Sequence, residues 1–159
     1  MIDVLKLLEQ DARLTPQDLA KATGRTVDEV NTIIRQATDD GILLGYRALV
    51  NWDKVGVEEC WALIGVKASP QRDVGFDLIA ERIGRFPETH SVYLVTGDWD
   101  LMVLVMGKTM REVADFVSRR LYSLEGVTGT GSLFIMRRYK DQGKMLEGEV
   151  VNPRLAITP

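Results

Sequence analysis

One cysteine and one histidine stand in a chain of 159 residues, and that scarcity removes several functions at the outset. Cys60 has no second thiol to pair with, which fits a reducing compartment. His90 would leave a transition-metal site resting on one imidazole and carboxylates, and no metal-ligand spacing accompanies it. No Ser or Cys stands in a recognised nucleophile frame, and Cys60 lies in an apolar run that reads as core. The glycines of residues 126–131 lack the lysine of a phosphate-binding loop. No apolar run approaches the ~20 residues of a membrane helix, and Met1-Ile2-Asp3-Val4 has no basic-then-apolar leader pattern. The expectation is a soluble cytoplasmic protein with no membrane partner, no metal, no cofactor and no catalytic residues.

Positive charge is not in excess either. Lys and Arg number 20 against 23 Asp and Glu, for a net charge of −3. By itself this speaks against a nucleic-acid partner. Net charge describes the field of the whole molecule, however, and says nothing of a single face. What is present is ordinary for a globular protein: 45% hydrophobic and 27% charged residues, which excludes a disordered chain. The length allows one domain or two small ones.

Two periods divide the chain. In the first half apolar residues recur at helical spacing. Val4, Leu5 and Leu8 stripe a first helix. Thr15 caps a second helix that opens on Pro16, and Thr26-Val27-Asp28-Glu29 is a capping box for a third, which Gly41 stops. A strand-like stretch, residues 42–50, comes next. The second half reads strand (60–66), helix (Phe76, Ile79, Ala80, Ile83), strands (91–96 and 101–106), helix (Val113, Phe116, Val117, Leu121, Leu124) and strand (132–139). A βαββαβ order predicts a ferredoxin-like antiparallel sheet with both helices on one face. The other face, carrying Leu63, Val103 and Ile135 or their neighbours, then needs a partner, and self-association is the simplest one.

A helix-turn-helix requires a small residue at the helix contact, a glycine in the turn and apolar anchors beneath the second helix. Ala20, Gly24, Val30 and Ile33 fill those positions. The same pattern also describes a plain helical subdomain. If the module binds double-stranded DNA, the helix starting at Thr26 enters the major groove, presenting Arg25, Thr26, Asn31, Thr32, Arg35 and Gln36. Residues 1–56 hold seven basic and nine acidic side chains, so one copy should bind weakly and with steep salt dependence.

The order of parts resembles one family. The helix-turn-helix, then Asp40-Gly41-Ile42-Leu43-Leu44-Gly45-Tyr46 and Asn51-Trp52-Asp53-Lys54-Val55-Gly56, is similar to the N-terminal half of the Lrp/AsnC (feast/famine) transcriptional regulators. The βαββαβ half, with Phe86-Pro87-Glu88 and Thr96-Gly97-Asp98-Trp99-Asp100-Leu101, resembles their effector-sensing domain. The resemblance implies an α+β chain: an N-terminal winged helix-turn-helix (1–42), a strand linker (43–56), a ferredoxin-like sensing and oligomerisation domain (57–140) and a C-terminal extension (141–159). It also implies a dimer, often a tetramer of dimers, and an amino acid or related small metabolite as effector. Family recognition helices commonly carry arginines where this chain has Thr32 and Ile33.

Carried over residue by residue, the effector site is Thr96, Gly97, Asp98, Trp99 and Asp100, with Thr128, Gly129, Thr130 and Gly131. An amino acid needs an anion for its ammonium, from Asp98 or Asp100, and hydroxyl or backbone N–H donors for its carboxylate. The same turn also reads as a plain Gly-Asp hairpin connection, and Trp99 as packing rather than ligand stacking. Arg137-Arg138-Tyr139-Lys140 reads as a guarded strand edge. Two other functions fit the resemblance. One is an oligomeric sensor or co-regulator with little specific DNA binding. The other, a siroheme-decarboxylase-like enzyme, is disfavoured by the single histidine and the acidic 96–100 loop.

Overall fold

The computed structural model describes residues 1–69 and 75–146. The chain divides between Val50 and Asn51 into two compact units. In the first, α1 (Ile2–Gln10), α2 (Pro16–Thr23) and α3 (Val27–Asp39) meet on a small apolar cluster of Val4, Leu8, Leu19, Ala20 and Val30, with Ile33 and Ile34 packed at its margin. The caps do what the sequence requires. Thr15 Oγ1 accepts the Asp18 N–H while the Asp18 carboxylate takes the Thr15 N–H, and Thr26 and Glu29 repeat the arrangement. Gly24 ends α2 with φ 68°, a left-handed conformation that glycine adopts freely, and turns the chain tightly into α3.

After α3 the expected strand does not pair. Residues 44–50 lie in no ladder, and Leu44 is 92% exposed. A strand-like run gains its hydrogen bonds only from a neighbouring strand, and none of the described residues supplies one. The linker's other end is a single helical turn, α4 (Trp52–Val55), capped by Asn51 and closed by Gly56 at φ 80°.

The second unit is a four-stranded antiparallel sheet in the order β2-β3-β1-β4, from β1 (Cys60–Ala68), β2 (Thr89–Leu94), β3 (Leu101–Gly107) and β4 (Val127–Phe134). Helices α5 (Asp77–Gly84) and α6 (Met110–Phe116) contribute Ile79, Ile83, Val113 and Phe116 to one core with Ala62, Ile64, Val66, Leu101, Val103 and Val105. This is the predicted ferredoxin-like arrangement. Helix α6 continues into a π-helical turn, Val117–Leu121, from which Arg120 reaches Glu88 at 2.6 Å and covers the Phe86 ring with its Cζ 4.6 Å from the centroid.

Several expectations are corrected. Val103 pairs with Ile64 and is fully buried beneath the helices, so the open face carries its neighbours Met102 and Leu104 instead. A one-residue error reverses a strand's faces. Ile135 lies beyond β4, and the open face is continued by Leu133, 64% exposed. The last strand begins at Val127, five residues earlier than predicted, because Gly129 and Gly131 weaken the strand signal although both pair with β1. Finally, Arg138 guards no edge. Its side chain is 18% exposed, stacked on Trp61 with Cζ 4.9 Å from the ring centroid, and near carboxylates of Asp53, Glu59 and Asp141 at 3.7–3.9 Å.

The described chain closes on a short hairpin, β5 (Lys140–Asp141) and β6 (Lys144–Met145), tied to the linker exit by Asn51 Nδ2 donating to the Leu146 carbonyl at 2.6 Å. The remainder of the expected extension, residues 147–159, lies outside the described residues.

Ile64 is fully enclosed between β3, β4 and the helices. Replacing it with Ala should lower unfolding free energy by about 2–5 kcal/mol, read by urea titration.

Candidate functional site

The residues expected to act on DNA and those expected to hold an effector fare differently in the structure. On α3 the residues expected to face DNA are exposed or half-exposed, and all lie off the apolar stripe of Val30 and Ala37. Asn31, Arg35 and Gln36 are exposed and make no side-chain hydrogen bond or ion pair among the described residues. Thr26 is engaged: its hydroxyl accepts from the Glu29 N–H and donates to Glu29 Oε2 at 3.0 Å. Thr32 turns its hydroxyl back onto the Asp28 carbonyl at 2.9 Å. Arg25 sits just before the cap and pairs with Asp3 of α1 at 3.0 Å. Arg25, Asp28, Glu29, Thr32 and Ile33 line an open depression of about 400 Å³ at the start of α3.

Several acidic side chains of this unit are held ionised. The Met1 ammonium and the Arg25 guanidinium hold Asp3 down to about 2, against an ordinary 3.8. The Arg13 side chain, then its N–H, does the same for Asp11, also about 2. Hydrogen bonds from Thr15 lower Asp18, and those from the Thr26 N–H and hydroxyl lower Glu29.

In the second unit, the β2–β3 turn and β4 come together through Trp99. Its indole lies across the open sheet face, over two adjacent glycines. A Cβ on Gly131 would stand 2.7 Å from the ring, and one on Gly65 would overlap it. Gly65 and Gly131 are cross-strand partners, so the ring occupies space left by two missing side chains. Trp99 therefore packs, as its apolar body favours, and its burial depends on both glycines.

Asp98 is exposed in this turn, which Gly97 enters at φ 118°. Asp100 is committed elsewhere: its Oδ2 accepts the Ala68 N–H at 2.9 Å, where the β1–β4 register shifts. Its backbone is engaged too, the carbonyl accepting from the Val95 N–H and the N–H donating to the Val66 carbonyl. That leaves Asp98 as the carboxylate of the pair with no partner among the described residues. Thr130 pairs with Val66 and so faces the helix side of the sheet, away from Trp99, and Thr128 alternates with Gly129 to face the same way. The backbone of Gly129 and Gly131 remains on the Trp99 side. Lys67, not anticipated from the sequence, stands opposite Gly129 on that side, exposed. Its position was concealed because a lone Lys at a strand end reads as a solvated residue.

Known proteins resemble the chain along its whole length. Residues 61–145 match the family described as Lrp/AsnC ligand binding domain, and residues 1–43 match one described as winged helix-turn-helix DNA-binding. The chain is 40% identical over 158 residues to an HTH-type transcriptional regulator of Bacillus subtilis named YugG, covering 99% of this chain and 95% of that one. Among solved structures, the leucine response regulatory protein of Mycobacterium tuberculosis superimposes with a TM-score of 0.75 at 23% identity, covering 91% of this chain and 96% of that one. A transcriptional regulator of Neisseria meningitidis, solved as a complex with L-Met, gives 0.68 at 25% identity, with 91% and 94% covered.

Two outcomes are expected from this geometry. Carboxyls depressed in the folded state bind fewer protons than in the unfolded chain above their folded values. The stability they contribute is therefore complete above about pH 5 and falls as pH drops from about 4 towards 2. Thermal melts followed by helical circular dichroism across that range should show the loss concentrated there. Gly131→Val should expel the Trp99 ring from its seat, seen as a lost near-ultraviolet dichroism band with the sheet signal retained.

Proposed function

Because the chain belongs to the Lrp/AsnC family, we propose that it is a sequence-specific DNA-binding transcriptional regulator whose assembly or DNA affinity responds to a small effector, an α-amino acid or a close relative of one. One juxtaposition carries the reading. The same chain holds a doubly capped helix-turn-helix, with Asn31, Arg35 and Gln36 unengaged on its second helix, and a ferredoxin-like unit with one sheet face open. Asn and Gln pair bidentately with adenine and Arg with guanine or phosphate, so these three side chains are the readers we assign. Arg25 adds a cation at the start of the helix, while Thr26 and Thr32 contribute shape and backbone rather than free hydroxyls.

For the effector we assign Asp98 to the ammonium, and Lys67, the Thr96 hydroxyl and the Gly97 N–H to the carboxylate. Trp99, seated on Gly65 and Gly131, would bound the effector's side chain. Thr128 and Thr130 face away and enter only through the intervening backbone of Gly129. The open face, with Leu63, Tyr93 and Leu133, fits a second copy of this chain. Self-association also answers the charge problem, since joining several net-negative heads on one DNA raises avidity without new phosphate contacts. Such a protein works where DNA is, in the cytoplasm, and its relatives are named regulators rather than enzymes.

Selection of genomic fragments by the purified protein at two salt concentrations tests the reading. Recovery of a short palindromic consensus supports it, and nothing above background replaces it with a sensor or co-regulator. If no amino acid changes either sedimentation or DNA affinity, the effector half is wrong. Arg35→Ala should weaken binding to the recovered site by about 1–3 kcal/mol if Arg35 reads a base. Unchanged affinity would leave it on the solvated face.

A further inference from the structure

We propose that Asp3, on α1, is a positioning residue for DNA recognition: it grips Arg25 by one edge of the guanidinium and so presents the opposite edge at the start of α3. The proposal rests on the regulator reading. Nε and Nη2 of Arg25 both donate to Asp3 Oδ2, at 3.1 and 3.0 Å. Those two nitrogens form the side edge of the planar guanidinium. Its five N–H groups are fixed in one fork, so engaging the side edge leaves Nη1 and the outer N–H of Nη2 directed together along the end edge. That end edge is one that binds guanine or a phosphate in bidentate fashion. Arg25 Nη1 has no hydrogen-bond partner among the described residues.

The location fits the task. Arg25 is the residue before the Thr26 cap, and it lines the same depression as Asp28, Thr32 and Ile33. A free arginine loses its rotamer freedom on docking, whereas one already held has lost it beforehand. Arg25 keeps 34% of its side-chain surface exposed and Asp3 43%, so the pair is ordered yet reachable. The two residues are 22 positions apart, and the contact links α1 to the mouth of α3. At Ile33, one turn further along and half-buried against the core, the helix offers no cation, which leaves Arg25 as the positive charge in this depression.

The test is a double-mutant cycle in the full chain, using the site recovered by fragment selection and fluorescence anisotropy at two salt concentrations. Asp3→Ala and Arg25→Ala should each lower affinity by about 5- to 10-fold, and the double variant should lose no more than Arg25→Ala alone. Asp3→Asn, which keeps an oxygen acceptor, should recover part of the loss and serves in place of Asp3→Ala if that variant melts early. A general weakening of the fold would lower affinity for every variant whose melting temperature falls, and Arg25→Ala would not mask it. An Asp3→Ala chain that binds as tightly as the wild type, or more tightly, overturns the proposal, as do losses that multiply in the double variant. In both cases the regulator reading stands. A wild-type chain that recovers no fragment overturns that reading, and this one with it.

Discussion

The central strand β1 is hydrogen-bonded along both edges, and its two-residue alternation organises the whole second unit. Even-numbered Ala62, Ile64 and Val66 face the helices and are sealed. Odd-numbered Leu63, Gly65 and Lys67 face the other way, into the region where the effector is proposed to sit. Every neighbour inherits this choice. Val103 must be core because it pairs with Ile64, and Gly131 must lie on the open side because it pairs with Gly65. Trp99 can seat itself only because both of those positions lack a side chain. Apolar burial and the shape of the open face are thus set by one register, and a slip of one residue would destroy both together.

Local chemistry was the legible part of this sequence. Capping boxes at Thr15 and Thr26, the turn glycine Gly24 and the stripes of α5 and α6 are encoded within a few residues, and each appears where those residues require it. The ferredoxin-like order was legible for the same reason, as a succession of periods. Contacts between distant residues were the concealed part. Arg138 gathers carboxylates from Asp53 and Glu59 across the unit, so it reads as an exposed edge until those partners are known. Gly129 and Gly131 weaken the strand signal of β4 until Lys67 and Trp99 are seen to stand against them. Residues 44–50 have the composition of a strand but no ladder, because a strand is a property of two segments and only one is at hand among the described residues.

The helical unit carries its charges in an unusual balance for a nucleic-acid reader. Several of its carboxylates are occupied in fastening backbone: Asp18 and Glu29 close caps, and Asp11 binds the Arg13 side chain and N–H. Acidic groups used in this way stabilise helices without standing free to repel phosphate. The net charge of the unit therefore overstates the repulsion that a DNA backbone would meet at α3, where Asn31, Arg35 and Gln36 lie unengaged.

The π-helical turn Val117–Leu121 also constrains the length of the chain. Such a turn holds one residue more than an α-helix would over the same span. Deleting a residue there would restore ordinary helix but rotate the residues after it by roughly 100° relative to those before it. Leu121 would leave the core, and Arg120 would lose both Glu88 and the Phe86 ring. Homologues that drop this residue should therefore have changed Arg120 and Glu88 together, so the spacing of an insertion and the identity of an ion pair are inherited as one trait.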